Sequence, residues 1–199
     1  MKKTIIHVIV LMLITPVSVH AEPVLSRVLN VIYGVGNWEP YNAPDELWKY
    51  LYEQEEAEAL AQVKFAGANQ DFGFISGATG VSFQSLFNVT DSKYLSGSPS
   101  TTLTEAQTGS IFRFADDPTR HPLWSSQEID NSDCMDHMQT FAIISGRSAG
   151  NYVVAWEDIS GLGDSDYQDL VVEVSGVEPV PEPSTILLLG LGCFVLKRK

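Results

Sequence analysis

From Leu60 onward the chain breaks into short alternating segments, and this pattern constrains the fold more than any other feature. "LAQVKFAG" places Ala61, Val63 and Phe65 on one face. "DFGFIS", "VSFQSLFNV", "SIFRFAD", "HMQTFAII", "NYVVAWED" and "DLVVEVSG" follow, separated by clusters of Gly, Ser, Asn, Asp or Pro. Side chains in a strand alternate between two faces, so runs of this length with such punctuation predict an antiparallel β-sandwich, jelly-roll-like in outline. No fixed-period repeat is present. In "NYVVAWED" Tyr152, Val154 and Trp156 share one face, and Val153, Ala155 and Glu157 share the other.

The segment before Leu60 has a different period. Val24, Leu25, Val28, Leu29 and Ile32 recur at helical spacing, with Gly34 placed to end the helix. "NAPDELWKYLY" predicts a second short helix, because Pro44 suits a first turn and Asp45 and Glu46 suit its positive end. "EQEEAEA" continues that helix or leads into a strand. "SGSPSTTLTEAQTGS", poor in bulky apolar residues, is read as a long surface loop.

Both ends carry processing signals. Residues 1–21 have Lys2 and Lys3, an apolar run from Ile5 to Ile14 and small residues at Val19 and Ala21, the layout of a cleavable signal peptide. The C-terminus, residues 180–199, holds an apolar segment within 185–196 followed by Lys197, Arg198 and Lys199. At 1.5 Å per residue its uninterrupted part, Ile186 to Leu196, extends about 17 Å, a marginal span for a hydrocarbon core of about 30 Å. The basic end suits a cytoplasmic anchor. One domain of ordinary size, residues 22–179, lies between these ends.

Charge narrows the partners of that domain. Five of the 12 basic residues and one of the 25 acids fall in the terminal segments, leaving 24 acids, 7 bases and a net charge of about −17. Nucleic acid, bound by neutralising phosphates, is excluded as a partner. Cations, basic proteins and neutral sugars suit such a surface. Cys193 lies in the tail, so Cys134 is the domain's one cysteine, expected as a buried free thiol.

The densest charge lies between the last two strands. "EDISGLGDSDYQDL" holds Glu157, Asp158, Asp164, Asp166 and Asp169 within thirteen residues. Calcium takes about 6–8 oxygen ligands, and a D-x-D-x-x-D spacing brings three carboxylates to one ion if the backbone curls. Gly161 and Gly163 supply that curl. Asp164, Asp166 and Asp169 are the expected ligands, with Glu157 or Asp158 closing the site. An EF-hand is excluded, because Asp169 stands where glycine is required and Ser175 where glutamate is required. The alternative is a solvated turn whose aspartates cap backbone N–H groups. In "DNSDCMDHM", Asp136 would reach the same ion if its strand pairs beside the one carrying Trp156. The plainer reading there is a polar loop and an exposed His137.

Catalytic signatures are missing. His121 and His137 are the histidines of the domain, and neither sits in a zinc-binding spacing. No G-x-S-x-G elbow occurs. Acids around Cys134 oppose a thiolate. The acids of one short loop suit a cation better than the two opposed carboxylates of a glycosidase. A non-catalytic protein is therefore expected, with a secreted polysaccharide hydrolase as the weakest alternative. Among Trp38, Trp48, Trp124 and Trp156, packing is the plainer role. Trp38 and Trp124, read as loop residues, are the ones that would stack on a sugar in a carbohydrate-binding module.

Two resemblances add to this. Val180, Pro181, Glu182, Pro183 and Ser184, the apolar stretch and the basic end resemble a PEP-CTERM sorting signal. This implies export from a polysaccharide-producing Gram-negative bacterium after signal-peptidase cleavage. It also implies transient anchoring in the inner membrane and processing by an exosortase, with the cell surface or extracellular matrix as destination. "NYVVAWEDISGLGDSDYQDLVVEV", preceded by "DHMQTFAI", resembles an uncharacterised extracellular domain found in calcium-dependent adhesins. "LNVIYG", "DELW" and "FAGANQDFGF" resemble its N-terminal half more loosely. The resemblance implies a β-sandwich with a calcium site at Asp164, Asp166, Asp169 and Glu157 or Asp158. It further fits a structural or adhesive role among surface proteins or extracellular polysaccharide, and it supplies no reaction.

Overall fold

The computed structural model describes residues 24–51 and 56–180. The expected signal peptide (residues 1–21), residues 52–55 and the C-terminal segment with Pro181, Glu182, Pro183 and Cys193 lie outside the described residues. In chain order the elements are α1 (Leu25–Tyr33), β1 (Trp38–Pro40), β2 (Trp48–Tyr50), β3 (Glu56–Lys64), β4 (Gln70–Ser76), β5 (Phe83–Val89) and β6 (Lys93–Tyr94). There follow β7 (Ser100–Thr104), α2 (Glu105–Thr108), β8 (Ile111–Asp116), β9 (Trp124–Ser125), β10 (Met138–Ile143), β11 (Tyr152–Trp156), β12 (Leu170–Ser175) and β13 (Val177–Pro179).

These strands form two antiparallel sheets. One runs β1-β10-β11-β12-β3-β6, with β7 also on β3; the other runs β13-β2-β8-β4-β5, with β9 on β8. The expected sandwich is the observed architecture, and every alternating run named above is a strand. Trp48, Phe72, Phe74, Phe112, Phe114, Trp124, Val154, Trp156, Leu170, Val172 and Val174 fill the space between the sheets. The outer face of the first sheet is also covered. Val63, Val153, Ala155 and Val171 pack under Leu25, Val28 and Leu29 of α1. Covering both faces explains why β11 and β12 read as nearly unbroken apolar runs, as strands buried on two sides do. Gly34, at φ 91°, ends α1 and its N–H bonds to the Asn30 carbonyl.

Four expectations are corrected. "NAPDELWKYLY" forms no helix; it contains β2, whose Trp48 and Tyr50 point into the core while Lys49 points out. Ladder bonds to β8 and β13 outweigh the helical start signal. "SGSPSTTLTEAQTGS" is not one loop: it holds β7, paired with β3 from Ser100 to Thr104, then α2 with Gln107 capping Thr104. Leu103, its one large apolar residue, is fully buried. Cys134 is exposed, at φ 55° in the turn after Asn131, and not a buried thiol. His137 is fully buried, not an exposed strand residue.

Candidate functional site

β11 and β12 pair in register from Tyr152↔Val174 to Trp156↔Leu170, so residues 157–169 are the loop of a hairpin, as the sequence predicts. Past the last ladder pair the chain enters the loop with Glu157 and Asp158 still buried. The loop then coils tightly. Gly161 and Gly163 take positive φ, and so do Leu162, Ser165 and Tyr167. Gly163 is held in place by more than its φ: a Cβ there would lie 2.6 Å from a Glu157 carboxylate oxygen and 3.0 Å from Ile159. The backbone therefore passes directly over the Glu157 carboxylate, which only glycine permits.

The carboxylates converge in two overlapping sets. Oxygens of Glu157, Asp164 and Asp166 lie within 4.8 Å of one another, and so do oxygens of Glu157, Asp158 and Asp169. Two oxygens that share a calcium ion at about 2.4 Å each can be at most about 4.8 Å apart, so both sets fit a common ion. The donors are hard oxygens, as calcium requires. Glu157 belongs to both sets and is fully buried; its Oε2 accepts no hydrogen bond. Ile159 N–H donates to Oε1 at 3.3 Å.

Neighbouring groups orient the remaining acids. Asp169 Oδ2 accepts from Asp158 N–H at 2.9 Å, and Asp158 Oδ2 accepts from Gln70 Nε2 at 2.6 Å. Asp166 accepts from both the backbone N–H and the side-chain amide of Gln168. Burial pushes Asp169 up to about 8, with the Asp158, Glu157 and Asp166 charges adding to it against the Asp158 N–H bond. Burial also raises Glu157 and Asp166, and their acidic neighbours work in the same direction. The group is thus arranged to repel its own charge.

Besides Gln70, three contributors were not legible in the sequence. Asp116, at the end of β8, is fully buried, and neither of its carboxylate oxygens accepts a hydrogen bond. Burial first, then the Asp158 and Asp169 charges, raise it well above the carboxylate range. Lys64 is buried close enough to feel Asp158, Asp169 and Asp116, and its Nζ donates to the Ala66 and Ala68 carbonyls at 2.9 and 2.7 Å. Asp133 crosses from the preceding loop and accepts from Gly161 N–H at 2.7 Å and from His137 Nε2 at 3.0 Å. Burial opposes its ionisation, yet these bonds and that of Met135 N–H hold Asp133 down at about 2. His137 Nδ1 lies 2.7 Å from the Glu157 carbonyl, and its ring stacks on Trp124 at 3.6 Å. The clue available in sequence was the "DNSDCMDH" cluster itself, without its direction.

Asp136 belongs to neither set. Its strand does pair beside β11, Met138 opposite Trp156. However, its carboxylate accepts from Met138 N–H, its carbonyl accepts from Tyr167 OH, and it lines a different cleft with Asp45. Trp124 is in β9, fully buried, with Nε1 donating to the Asp158 carbonyl at 2.9 Å, so it presents no face to a sugar. Trp38 is in edge strand β1, partly buried edge-on against Phe141, its Nε1 bonded to Asn30 of α1. Trp124 packs beside the site, whereas Trp38 packs on β10 and α1.

Among the described residues no helix is long and apolar enough to cross a membrane. Comparison with curated proteins finds no match. Residues 86–177, from within β5 to the start of β13, match DUF4114, a domain of unknown function. Residues 179–199 match the PEP-CTERM protein-sorting motif. The DUF4114 match leaves β1 to β4 outside it, although β2, β3 and β4 pair into the same two sheets. The chain is therefore similar to DUF4114 over residues 86–177, followed directly by a PEP-CTERM motif, which marks an exported protein sorted through an exosortase and anchored by its C-terminus on the way to the surface.

Proposed function

We propose that this exported protein is a non-catalytic component of the cell surface or extracellular matrix of a Gram-negative bacterium, whose sandwich is locked by calcium at the β11–β12 loop. Its role on this reading is structural or adhesive. The observation that carries it is Glu157: a fully buried carboxylate with one oxygen accepting no hydrogen bond, shared by two sets of convergent acids. Burying such a charge without a partner is costly, and a divalent cation removes the cost. Glu157, Asp158, Asp164, Asp166 and Asp169 would hold the ion, which supplies rigidity and no chemistry. Stacking of a sugar on Trp124 is not supported, since its ring is fully buried, whereas Trp38 is partly buried with its ring edge-on to Phe141.

Thermal melting of the full chain in millimolar calcium or in chelator tests this. Ligand binding to the folded state alone stabilises by about 2.7 kcal/mol at a hundredfold excess over Kd. The melting temperature is expected to rise with calcium, and the rise is expected to vanish in Asp164→Ala and Asp169→Ala. An unchanged melting temperature across millimolar calcium would sink the reading.

A further inference from the structure

The acid loop does not open onto a flat surface. Asp158, Asp164, Asp166 and Asp169 form part of the lining of a cleft of about 510 Å³. That size falls within the roughly 300–1,000 Å³ of small-ligand pockets. The rest of the lining includes Phe65, Asn69, Thr119, Arg120 and His121. The three segments concerned are bonded into one unit. Phe65 and Ala66 N–H donate to the Gln168 and Asp169 carbonyls at 3.2 and 3.4 Å, and Thr119 N–H donates to the Asn69 carbonyl at 2.9 Å.

We infer that this cleft binds a neutral glycan, with vicinal hydroxyls completing the coordination of the calcium ion held by its acid wall; the inference rests on the calcium reading above. Calcium takes about 6–8 oxygens and exchanges water for other hard oxygens, so an ion held on the acid wall can take ligands from the open side of the cleft. A sugar diol is such a ligand. Phe65 is only partly buried and offers an apolar ring for the C–H face of a pyranose. Asn69, Thr119 and Arg120 are exposed and carry the amide, hydroxyl and guanidinium donors that recognise the remaining hydroxyls. Neutrality follows from charge. The domain carries a net charge of about −17 and the wall itself holds four aspartates, so a polyanionic polymer is repelled. Phe65 lines this cleft, and neither Trp38 nor Trp124 does.

Isothermal titration of the full chain in mild detergent tests the inference, using mannotriose, maltotriose and galactotriose as neutral probes and trigalacturonate as the anionic one. At least one neutral trisaccharide is expected to bind in calcium and to weaken about tenfold or more in chelator. Phe65→Leu and Arg120→Gly are expected to weaken it while leaving the calcium-induced melting shift intact. Glycine suits Arg120, whose φ is 79°. A calcium melting shift without saccharide binding, binding that survives chelator, or preference for trigalacturonate overturns the glycan inference and leaves the calcium reading standing. Absence of the calcium shift overturns both.

Discussion

The β11–β12 hairpin buries its ladder and its tip in opposite ways. Along the ladder, Val153, Val154, Ala155, Val171 and Val172 are all fully buried between α1 on one side and the second sheet on the other. At the tip, Glu157 and Asp158 are buried as deeply, and Asp169 lies half-buried beside them. Apolar burial is self-sufficient, worth about 25 cal/mol per Å² removed from water. Carboxylate burial is unfavourable until something compensates the charge. The ladder is therefore stable by itself, whereas the tip calls for a cation.

That contrast can be broken at the ladder first. Trp156→Ala empties a fully buried position against Phe72 and should cost about 3–5 kcal/mol in chemical denaturation. The loss is expected to be the same size in calcium and in chelator; a loss that calcium largely repairs would mean that ladder and tip are not separate. The pH dependence sharpens the tip. Asp169, raised to about 8, binds its proton more tightly folded than unfolded. Its contribution to stability is thus fully present below the ordinary carboxylate range and is lost as pH rises through about 8. In chelator the melting temperature should fall from pH 5 to pH 8, and calcium should reverse the slope, because the ion binds the ionised form. Parallel pH profiles with and without calcium would contradict the assignment of Asp169. The smallest effect is expected at Asp133. Asp133→Ala removes the acceptor of Gly161 N–H and should cost about 1–2 kcal/mol, while weakening but not abolishing the calcium shift.

How much of this was legible depended on range. Strands β4, β5, β8, β10, β11 and β12 were readable because each is a short apolar or alternating run bounded by Gly, Ser, Asn, Asp or Pro. β2 was not, since three residues are too few to show a period and the preceding Pro-Asp-Glu resembles a helix start. β7 was hidden by its Ser and Thr, which lie in a strand only because β3 offers a paired edge. The same division runs through the site. Glu157, Asp158, Asp164, Asp166 and Asp169 were legible because one loop carries them all. Asp116, Gln70 and Asp133 were not, as they reach the loop from β8, β4 and the segment before β10. Asp136 shows the limit of adjacency: pairing of its strand came true, but its carboxylate turned back to its own backbone.

The sequence by itself determined the antiparallel strands, the acidic hairpin loop, the strongly negative domain and the sorting motif at the C-terminus. All of these are local patterns, decided by neighbours within a few residues. Only the tertiary structure decided that Glu157 is buried without a donor for Oε2, that Trp124 faces inward, and that the acids open into a cleft with Phe65 and Arg120. Burial and convergence depend on which distant segments pack together, and a carboxylate carries no mark along the chain of whether water or protein will surround it.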